Sequence, residues 1–252
     1  MNAFTSLSSY IGVVSREVFN GGRNVSRRMA RTAFAPETIR NAGIALVAKH
    51  PAISPEMRRI LYHNRYELPE FDILRRTLRP EDRVLEIGGG IGFLSAYIAQ
   101  VCGDDRVTMV EANPTLEPLI RRNHAMNGVA PNVIMAVATC DPARETETLF
   151  LADNFWSTST VRRQSNKVVV PTIDLNRLID DVMPSYLILD VEGAEVEMAP
   201  ALRLDGVEKL LLELHPHVTG NDASNDVVRQ LVEAGFLVDF DKSRLNQVYM
   251  TR

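Results

Sequence analysis

Short runs rich in Val, Ile and Leu alternate with helical patterns from Arg83 to the C-terminus. The runs cover residues 83–87, 106–110, 132–137, 186–190 and 207–214, with further strand candidates within 147–170. Helical patterns lie between them, at 92–101, 115–126, 174–179 and 195–202. Because strands that alternate with helices pair in parallel, the sequence predicts an α/β fold with a doubly wound, mostly parallel sheet.

The two ends of the chain depart from this alternation. After a helix at 225–234, the runs 236–240 and 246–250 predict a C-terminal antiparallel hairpin at a sheet edge. Residues 36–78 have a helical pattern that starts at Pro36, and Pro69 divides its second half into two short helices. We therefore expect an arginine-rich arm (1–35), a helical extension or cap (36–80) and the α/β domain (81–252).

Composition excludes several classes of protein. The chain has 252 residues and a net charge of −4, which argues against a general nucleic-acid binder. The sequence contains no run of roughly 18–20 apolar residues, so we expect no membrane span. Two cysteines are too few for a disulfide framework and indicate a reducing, cytoplasmic compartment. We expect the arm to be solvated; the alternatives are a swapped arm in a homo-oligomer or a contact with an anionic surface.

A glycine loop follows the first buried strand of the α/β pattern. Residues 84–94 read VLEIGGGIGFL, with glycines at positions 88, 89, 90 and 92. Glu111 ends the next strand, where a carboxylate can bind both hydroxyls of a ribose. Ligands of doubly wound sheets bind beyond the carboxyl ends of the strands, so this edge is the predicted ligand site.

Two cofactor classes use such an edge. A dinucleotide loop requires G-x-G-x-x-G, but the third glycine position is Phe93 or Ser95 here. Glu86 would also place a carboxylate beside the pyrophosphate of a dinucleotide. The same carboxylate suits the ammonium group of S-adenosylmethionine, which the sequence therefore favours over NAD.

Five segments of the chain resemble the FkbM-type family of class I methyltransferases. They are VLEIGGGIGFLS from Val84, Val110-Glu111-Ala112-Asn113-Pro114, NHAMNG from Asn123, Asp190-Val191-Glu192-Gly193-Ala194-Glu195, and Leu212-Glu213-Leu214-His215. The resemblance covers about half the chain and implies transfer of a methyl group from S-adenosylmethionine to a hydroxyl of a small molecule, sugar or natural-product scaffold. It implies cofactor contacts at Glu86, Gly88, Gly89, Gly90, Glu111, Ala112, Asn113 and Asp190.

The reacting groups are expected at the remaining strand ends. Asp190 ends the fourth strand, and Glu213 and His215 end the fifth, while Asp141 follows the third and could meet the adenine amino group. An imidazole titrates near neutrality, so His215 is the candidate general base for an acceptor hydroxyl. The same three side chains could instead hold Mg²⁺ or another divalent ion. The rival functions are an NAD-dependent oxidoreductase and a non-catalytic S-adenosylmethionine-binding protein.

Overall fold

The computed structural model describes residues 31, 33–151 and 166–252, so most of the predicted arm lies outside the described residues. The strands, in chain order, are β1 Thr38–Asn41, β2 Ile44–Val47, β3 Val84–Ile87, β4 Val107–Glu111, β5 Asn132–Met135, β6 Val137–Thr139, β7 Thr146–Leu151, β8 Asn166–Asp174, β9 Tyr186–Leu189, β10 Lys209–Glu213, β11 Leu237–Val238 and β12 Gln247–Thr251. The helices are α1 Pro55–Tyr62, α2 Leu68–Thr77, α3 Phe93–Cys102, α4 Glu117–Met126, α5 Leu175–Val182, α6 Glu195–Met198, α7 Pro216–Thr219 and α8 Asn221–Glu233. No helix among these residues is long and apolar enough to cross a membrane.

A seven-stranded sheet forms the centre of the fold, in the order β11-β12-β10-β9-β3-β4-β5. Strands β10, β9, β3, β4 and β5 are parallel, whereas β12 runs antiparallel to both of its neighbours. From β3 the chain first builds outward through β4 and β5, then returns to the other side of β3 with β9. This reversal makes the β3–β9 boundary the switch point at which doubly wound sheets bind ligands. The predicted doubly wound, mostly parallel sheet is confirmed.

Side chains alternate between two apolar layers because successive residues of a strand point to opposite faces. Val84, Met109 and Ile188 face one layer, formed with β1, β2 and α1 to α4. Leu85, Ile87 and the alternate residues of β9 and β10 face the other layer, formed with α5, α6 and α8. Glu86 alternates with Leu85 and Ile87 and therefore points towards the α2–α3 side.

The predicted helix from Pro36 is wrong, because residues 38–47 form a β-hairpin. Its two turn residues, Ala42 and Gly43, have φ values of 48° and 93°. Two consecutive positive φ values produce the tight turn whose twist matches that of paired strands. Every residue of β2 is buried, so the apolar spacing of this segment reflects a strand covered on both faces. The two short helices predicted around Pro69 are confirmed as α1 and α2.

Two asparagines one helical turn apart attach the hairpin to the sheet domain. Asn127 Oδ1 accepts the N–H of Ala45, and Asn123 Oδ1 accepts the N–H of Val47. Asn123 Nδ2 also donates to the carbonyl of Ile91 in the glycine loop at 2.8 Å. The edge of β2 is thus hydrogen-bonded by side chains, and one asparagine links it to the predicted cofactor loop.

Two other strand predictions differ in extent. The third strand of the α/β pattern ends at Met135, and after Ala136 the chain enters a separate three-stranded sheet, β6-β8-β7. The C-terminal pair is antiparallel as predicted, although β11 has only two residues. Its second strand, β12, pairs with β10 and so lies inside the sheet rather than at its edge.

We predict that Asn123→Ala lowers the free energy of unfolding by about 2–4 kcal/mol, because it leaves the buried N–H of Val47 and the carbonyl of Ile91 without partners. Asn225→Ala, an exposed position of α8, is the matched control and should change stability by less than about 0.5 kcal/mol. Urea denaturation measures both. Equal stability of the two variants would show that the asparagine contacts do not hold the hairpin.

Candidate active site

A cavity of about 370 Å³ lies at the switch point. Gly88 and Gly90 of the loop after β3, Glu111 at the end of β4 and Asp190 after β9 line it. Clefts of this size are typical of small-molecule sites. The edge predicted from the sequence therefore carries a ligand-sized cavity.

Two loop positions, Gly88 and Gly90, require glycine. A Cβ on Gly88 would lie 1.8 Å from the backbone oxygen of Asp190, and one on Gly90 would lie 2.3 Å from the Tyr66 hydroxyl. Both residues also have positive φ values, 89° and 53°. Gly89 packs against the Met109 side chain and does not line the cavity. The loop is thus pressed between β9 on one side and the segment before α2 on the other.

The N–H groups of this loop already have acceptors within the protein. Gly88 and Gly89 donate to the carbonyl of Val110, and Gly92 donates to that of Gly89. Gly90 donates to Glu111 Oε2 at 2.8 Å, and Ile91 donates to the Tyr66 hydroxyl at 3.4 Å. A phosphate bound at such a loop takes its hydrogen bonds from free backbone N–H groups. The loop as folded offers a phosphate none from Gly88 to Gly92.

Glu111 holds the loop and faces the cavity. Its Oε1 accepts the N–H of Asn113 at 2.8 Å, in addition to the Gly90 contact of Oε2. Burial raises the pKa of Glu111 to about 7, although the backbone N–H groups act in the opposite direction. A carboxylate has about four acceptor positions, so two remain for hydroxyl groups of a ligand.

The other cofactor residues predicted from the strand ends lie in different surroundings. Ala112 lines the cavity. Asn113 does not: its Oδ1 accepts the N–H of Thr115 and caps the short helix that follows. Asp141 lines an adjoining cavity of about 190 Å³, where it caps a turn through the N–H of Ala143. The adenine contact of Asp141 and the cofactor contact of Asn113 stay predictions.

Glu86 lies beneath the loop rather than in the main cavity. It is 1% exposed, and its side chain lines a chamber of about 10 Å³ together with Glu67, Glu70, Asp190 and Glu213. Burial and the Glu111 carboxylate raise the pKa of Glu86 to about 8. The predicted contact of Glu86 with a cationic group stays a prediction. It requires a ligand that extends from the main cavity into this chamber.

Two further acids, which the sequence analysis missed, come from α2. Glu67 precedes the helix with a φ of 45°, and Glu70 lies in its first turn. Burial raises the pKa of Glu67 well above its ordinary value, helped by Glu86 and Glu70. Burial and the neighbouring Glu213 raise that of Glu70 to about 8. These residues carry no motif, and only the packing of α2 against the strand ends brings them to the site.

The predicted reacting groups come together at the ends of β9 and β10. His215 Nε2 lies 3.5 Å from Asp190 Oδ1 and 3.7 Å from Glu192 Oε2. Asp190, Glu213 and His215 each present one possible metal-ligand atom, and these atoms lie within 4.8 Å of one another. Burial and the carboxylates of Glu213 and Glu192 raise the pKa of Asp190 well above its ordinary value.

Glu195 fixes the orientation of this group. Its two carboxylate oxygens accept the N–H groups of Gly193 and His215, at 2.8 and 2.9 Å. His215 Nδ1 lies 3.3 Å from Glu195 Oε1, but without the alignment of a hydrogen bond. Burial lowers the pKa of His215, yet the contacts with Glu195 and Glu192 outweigh it and leave that pKa raised. A raised pKa makes the imidazole a stronger base, and it also widens the pH range over which the ring is already protonated.

Buried polar atoms without partners concentrate in this region. Among the described residues seven such side-chain atoms occur, and all but one belong to the two cavities or to His215. The six are Glu67 Oε2, Glu70 Oε2, Glu86 Oε2, Asp190 Oδ1, His215 Nδ1 and Gln247 Oε1. Because buried acceptors are costly when unpaired, their concentration indicates a ligand that donates hydrogen bonds or carries positive charge.

One family model matches part of this chain. Residues 63–141, less than a third of the chain, match the family model of protein-L-isoaspartate(D-aspartate) O-methyltransferase. The comparison with curated proteins finds no match.

Solved methyltransferase structures are similar at low identity. They include precorrin-6y C5,15-methyltransferase of Geobacter metallireducens (18% identity, 73% of this chain and 85% of that chain, TM-score 0.41) and a methyltransferase of Pyrococcus furiosus (13%, 92% and 95%, TM-score 0.45). Trm1 of Pyrococcus horikoshii, in complex with S-adenosyl-L-methionine, is also similar (12%, 85% and 60%, TM-score 0.47). The likeness to these structures is confined to the fold.

The buried acids predict how stability depends on pH. Glu70, Glu86 and Glu111 have pKa values of about 8, 8 and 7 in the folded protein, against ordinary values of 4.5. The folded state therefore binds more protons than the unfolded state between about pH 5 and 8, and the free energy of unfolding falls as the pH rises through this window.

Denaturant unfolding of the ligand-free protein between pH 5 and 8 measures this slope. Glu86→Gln should flatten it, whereas Glu233→Gln, at an exposed position of α8, should leave it unchanged. A free energy of unfolding that increases as the pH rises through this window would contradict the conclusion that these acids take up protons on folding.

Proposed function

We propose that this protein is an S-adenosylmethionine-dependent methyltransferase acting on a hydroxyl of a small molecule, a sugar or a natural-product scaffold. One observation carries the proposal: the glycine loop has no free N–H group for a phosphate, while unpartnered buried carboxylates surround it. A dinucleotide brings a pyrophosphate to such a loop, whereas S-adenosylmethionine brings an ammonium and a sulfonium. The site therefore favours the sulfonium nucleoside over NAD.

The lining of the cavity matches the parts of this cofactor. Ala136, Ala138, Leu149 and Met198 form an apolar end that suits a purine. Glu111 lies next along the cavity and can accept the two ribose hydroxyls. Gly88, Asp190 and the chamber of Glu86 follow, where an ammonium group would find acceptors. Arg65 lines the same cavity and can bind the carboxylate of the methionine part.

When bound, S-adenosylmethionine supplies a methyl group on a positively charged sulfur. Nε2 of His215 would accept the proton of the acceptor hydroxyl, so that the oxygen could form its bond to the methyl carbon as the carbon–sulfur bond breaks and S-adenosylhomocysteine leaves. Asp190 and Glu192 lie on the Nε2 side of the ring and stabilise the imidazolium. The carboxylate of Glu195 accepts the backbone N–H of His215 and so holds this residue in position. Glu213 lies beside Asp190 and is proposed to position the acceptor.

An alternative role for Asp190, Glu213 and His215 is to hold Mg²⁺ or another divalent ion. Their ligand atoms are close enough to share one ion, which would polarise the hydroxyl without a base. The FkbM-type resemblance supports methylation of a hydroxyl whether His215 acts as a base or the three side chains hold a metal ion. Within this proposal, residues 36–80 act as the cap over the acceptor side, since α2 contributes Glu67 and Glu70 to the cavity.

We predict that S-adenosylmethionine and S-adenosylhomocysteine bind and that NADH does not. Titration calorimetry with S-adenosylhomocysteine, and fluorescence on addition of NADH, measure the two. Binding of NADH, or no heat and no thermal shift with millimolar S-adenosylhomocysteine, would contradict the proposed cofactor.

Glu111→Ala should weaken S-adenosylhomocysteine binding by about 1.5–3 kcal/mol, because it removes a charged acceptor for the ribose and releases the N–H of Gly90. Glu117→Ala is the matched control, since Glu117 lies outside the cavity and pairs with Arg121 on the surface of α4. Calorimetry compares the two dissociation constants. Equal values would place the ribose elsewhere.

His215→Ala should keep the affinity for S-adenosylhomocysteine but lower turnover by roughly 10²–10⁴, the range for loss of a general base. Excess chelator distinguishes the two versions of the site. A base needs no metal, whereas a metal site loses activity with chelator and regains it with Mg²⁺. Turnover of His215→Ala at the native rate, with and without chelator, would exclude both.

A further inference from the structure

Three polar side chains from different elements meet at the side of the cavity formed by α2, β10 and β12. Glu70 and Gln247 are 7% and 6% exposed, and both line the cavity together with Glu213. Gln247 and Glu213 are paired residues of adjacent strands. Glu70 Oε2 and Gln247 Oε1 are buried without a partner. We call Glu70, Glu213 and Gln247 the β10–β12 pocket.

The β10–β12 pocket adjoins the chamber of Glu86: Glu70 and Glu213 line both, whereas Gln247 lies outside that chamber. The neighbours that act on Glu70 are Glu213 and Gln247, whereas the charge that acts on Glu86 is that of Glu111. The acids thus extend in a row from the ribose end to the far side of β9. Asp190 lies between, where the methyl group would be transferred.

Raised pKa values keep acids such as Glu70 and Glu86 largely protonated in the ligand-free protein near neutral pH, and a cationic ligand favours their ionised forms. The acids that line the cavity are Glu67, Glu70, Glu111, Asp190, Glu192 and Glu213, and Arg65 is the one basic residue of its lining in the part of the chain that the structure describes. S-adenosylmethionine contributes a net charge of only about +1, from two cations and a carboxylate. Once these acids are ionised around a ligand, their carboxylates outnumber the positive charges of the cofactor, Arg65 and a protonated His215, and the excess lies on the acceptor side.

The geometry favours an organic cation over a metal ion in the β10–β12 pocket. Oxygen ligands lie about 2.3–2.6 Å from Ca²⁺ and closer to Mg²⁺, so ligands sharing one ion lie near one another. Among the His, Cys, Asp and Glu side chains of the described residues, the cluster that meets this condition is Asp190, Glu213 and His215, without Glu70. An ammonium group reaches acceptors at about 2.7–2.9 Å and offers three donors, one for each member of the pocket.

We infer that the methyl acceptor is a hydroxyl compound that also carries a protonated primary amine, such as an amino sugar or aminocyclitol, with the ammonium bound by Glu70, Glu213 and Gln247. This inference rests on the proposed methyl transfer and specifies its substrate class. A protonated nitrogen has no lone pair to attack the sulfonium methyl, so the ammonium serves recognition and a neighbouring hydroxyl is methylated.

The test uses the full chain saturated with S-adenosylhomocysteine, at a pH at which the amine is protonated. The probes are glucosamine and its two neutral counterparts, glucose and N-acetylglucosamine. Calorimetry should show glucosamine binding at least about tenfold more tightly than either neutral sugar. Glu70→Gln, which keeps the shape and can still donate to Glu213, should remove this preference when it is measured at saturating S-adenosylhomocysteine. Glu233→Gln should leave the preference unchanged.

The outcomes separate this inference from the proposed function. Failure of S-adenosylhomocysteine to bind would overturn the proposed function itself. With that binding intact, equal affinity for the three sugars, no binding of glucosamine at 50 mM (roughly 50-fold above a Kd of about 1 mM), or an unchanged preference in Glu70→Gln would overturn the amine-bearing acceptor. A thermal shift produced by Mg²⁺ alone and lost in Glu70→Gln would identify the pocket as a metal site and also overturn it.

Discussion

Two buried carboxylates hold the strand ends in position by accepting backbone N–H groups that the loops leave unpaired. Glu111 accepts those of Gly90 and Asn113, and Glu195 accepts those of Gly193 and His215. A buried backbone donor without a partner is costly, so each carboxylate determines the path of two loop segments. The cavity exists because these loops are kept apart at the switch point of the sheet.

This use of carboxylates also determines the electrostatics of the site. Each backbone N–H group that donates to one of these carboxylates is no longer available to a phosphate. The carboxylate also makes the surroundings of the loop more negative. Burial raises the pKa values of Glu86, Glu67 and Glu70, and neighbouring carboxylates add to it: Glu111 acts on Glu86, and Glu213 acts on Glu67 and Glu70. A cationic ligand would favour the ionised forms of these acids. The positive charges of the proposed cofactor and of the proposed acceptor ammonium would therefore both offset the negative charge of these acids.

The strand pattern of the sequence predicted the residues at the strand ends better than it predicted the segment of residues 36–80 that precedes the α/β domain. Gly88, Gly90, Glu111 and Asp190 could be placed from the sequence because parallel strands end at one edge, and each residue follows a buried apolar run. Glu86 was assigned to the same edge, but side-chain alternation turns it beneath the loop. The hairpin of residues 38–47 was missed because its buried strand has apolar residues at every position, and the spacing of such a run does not distinguish strand from helix. The turn at Ala42, an alanine with positive φ, is also an uncommon one.

Sequence by itself determined the order of strands and helices, the glycine loop and the acids that end β4 and β9, because these depend on local periodicity and on backbone conformations that only glycine adopts readily. Tertiary structure decided which side chains share the cavity. Glu70 and Gln247 are far apart in the chain and carry no local signal, and they meet Glu213 only because α2 packs across the strand ends and β12 inserts beside β10. Their burial without partners is a property of that packing, since a side chain becomes a costly unpaired acceptor only when other elements exclude water from it.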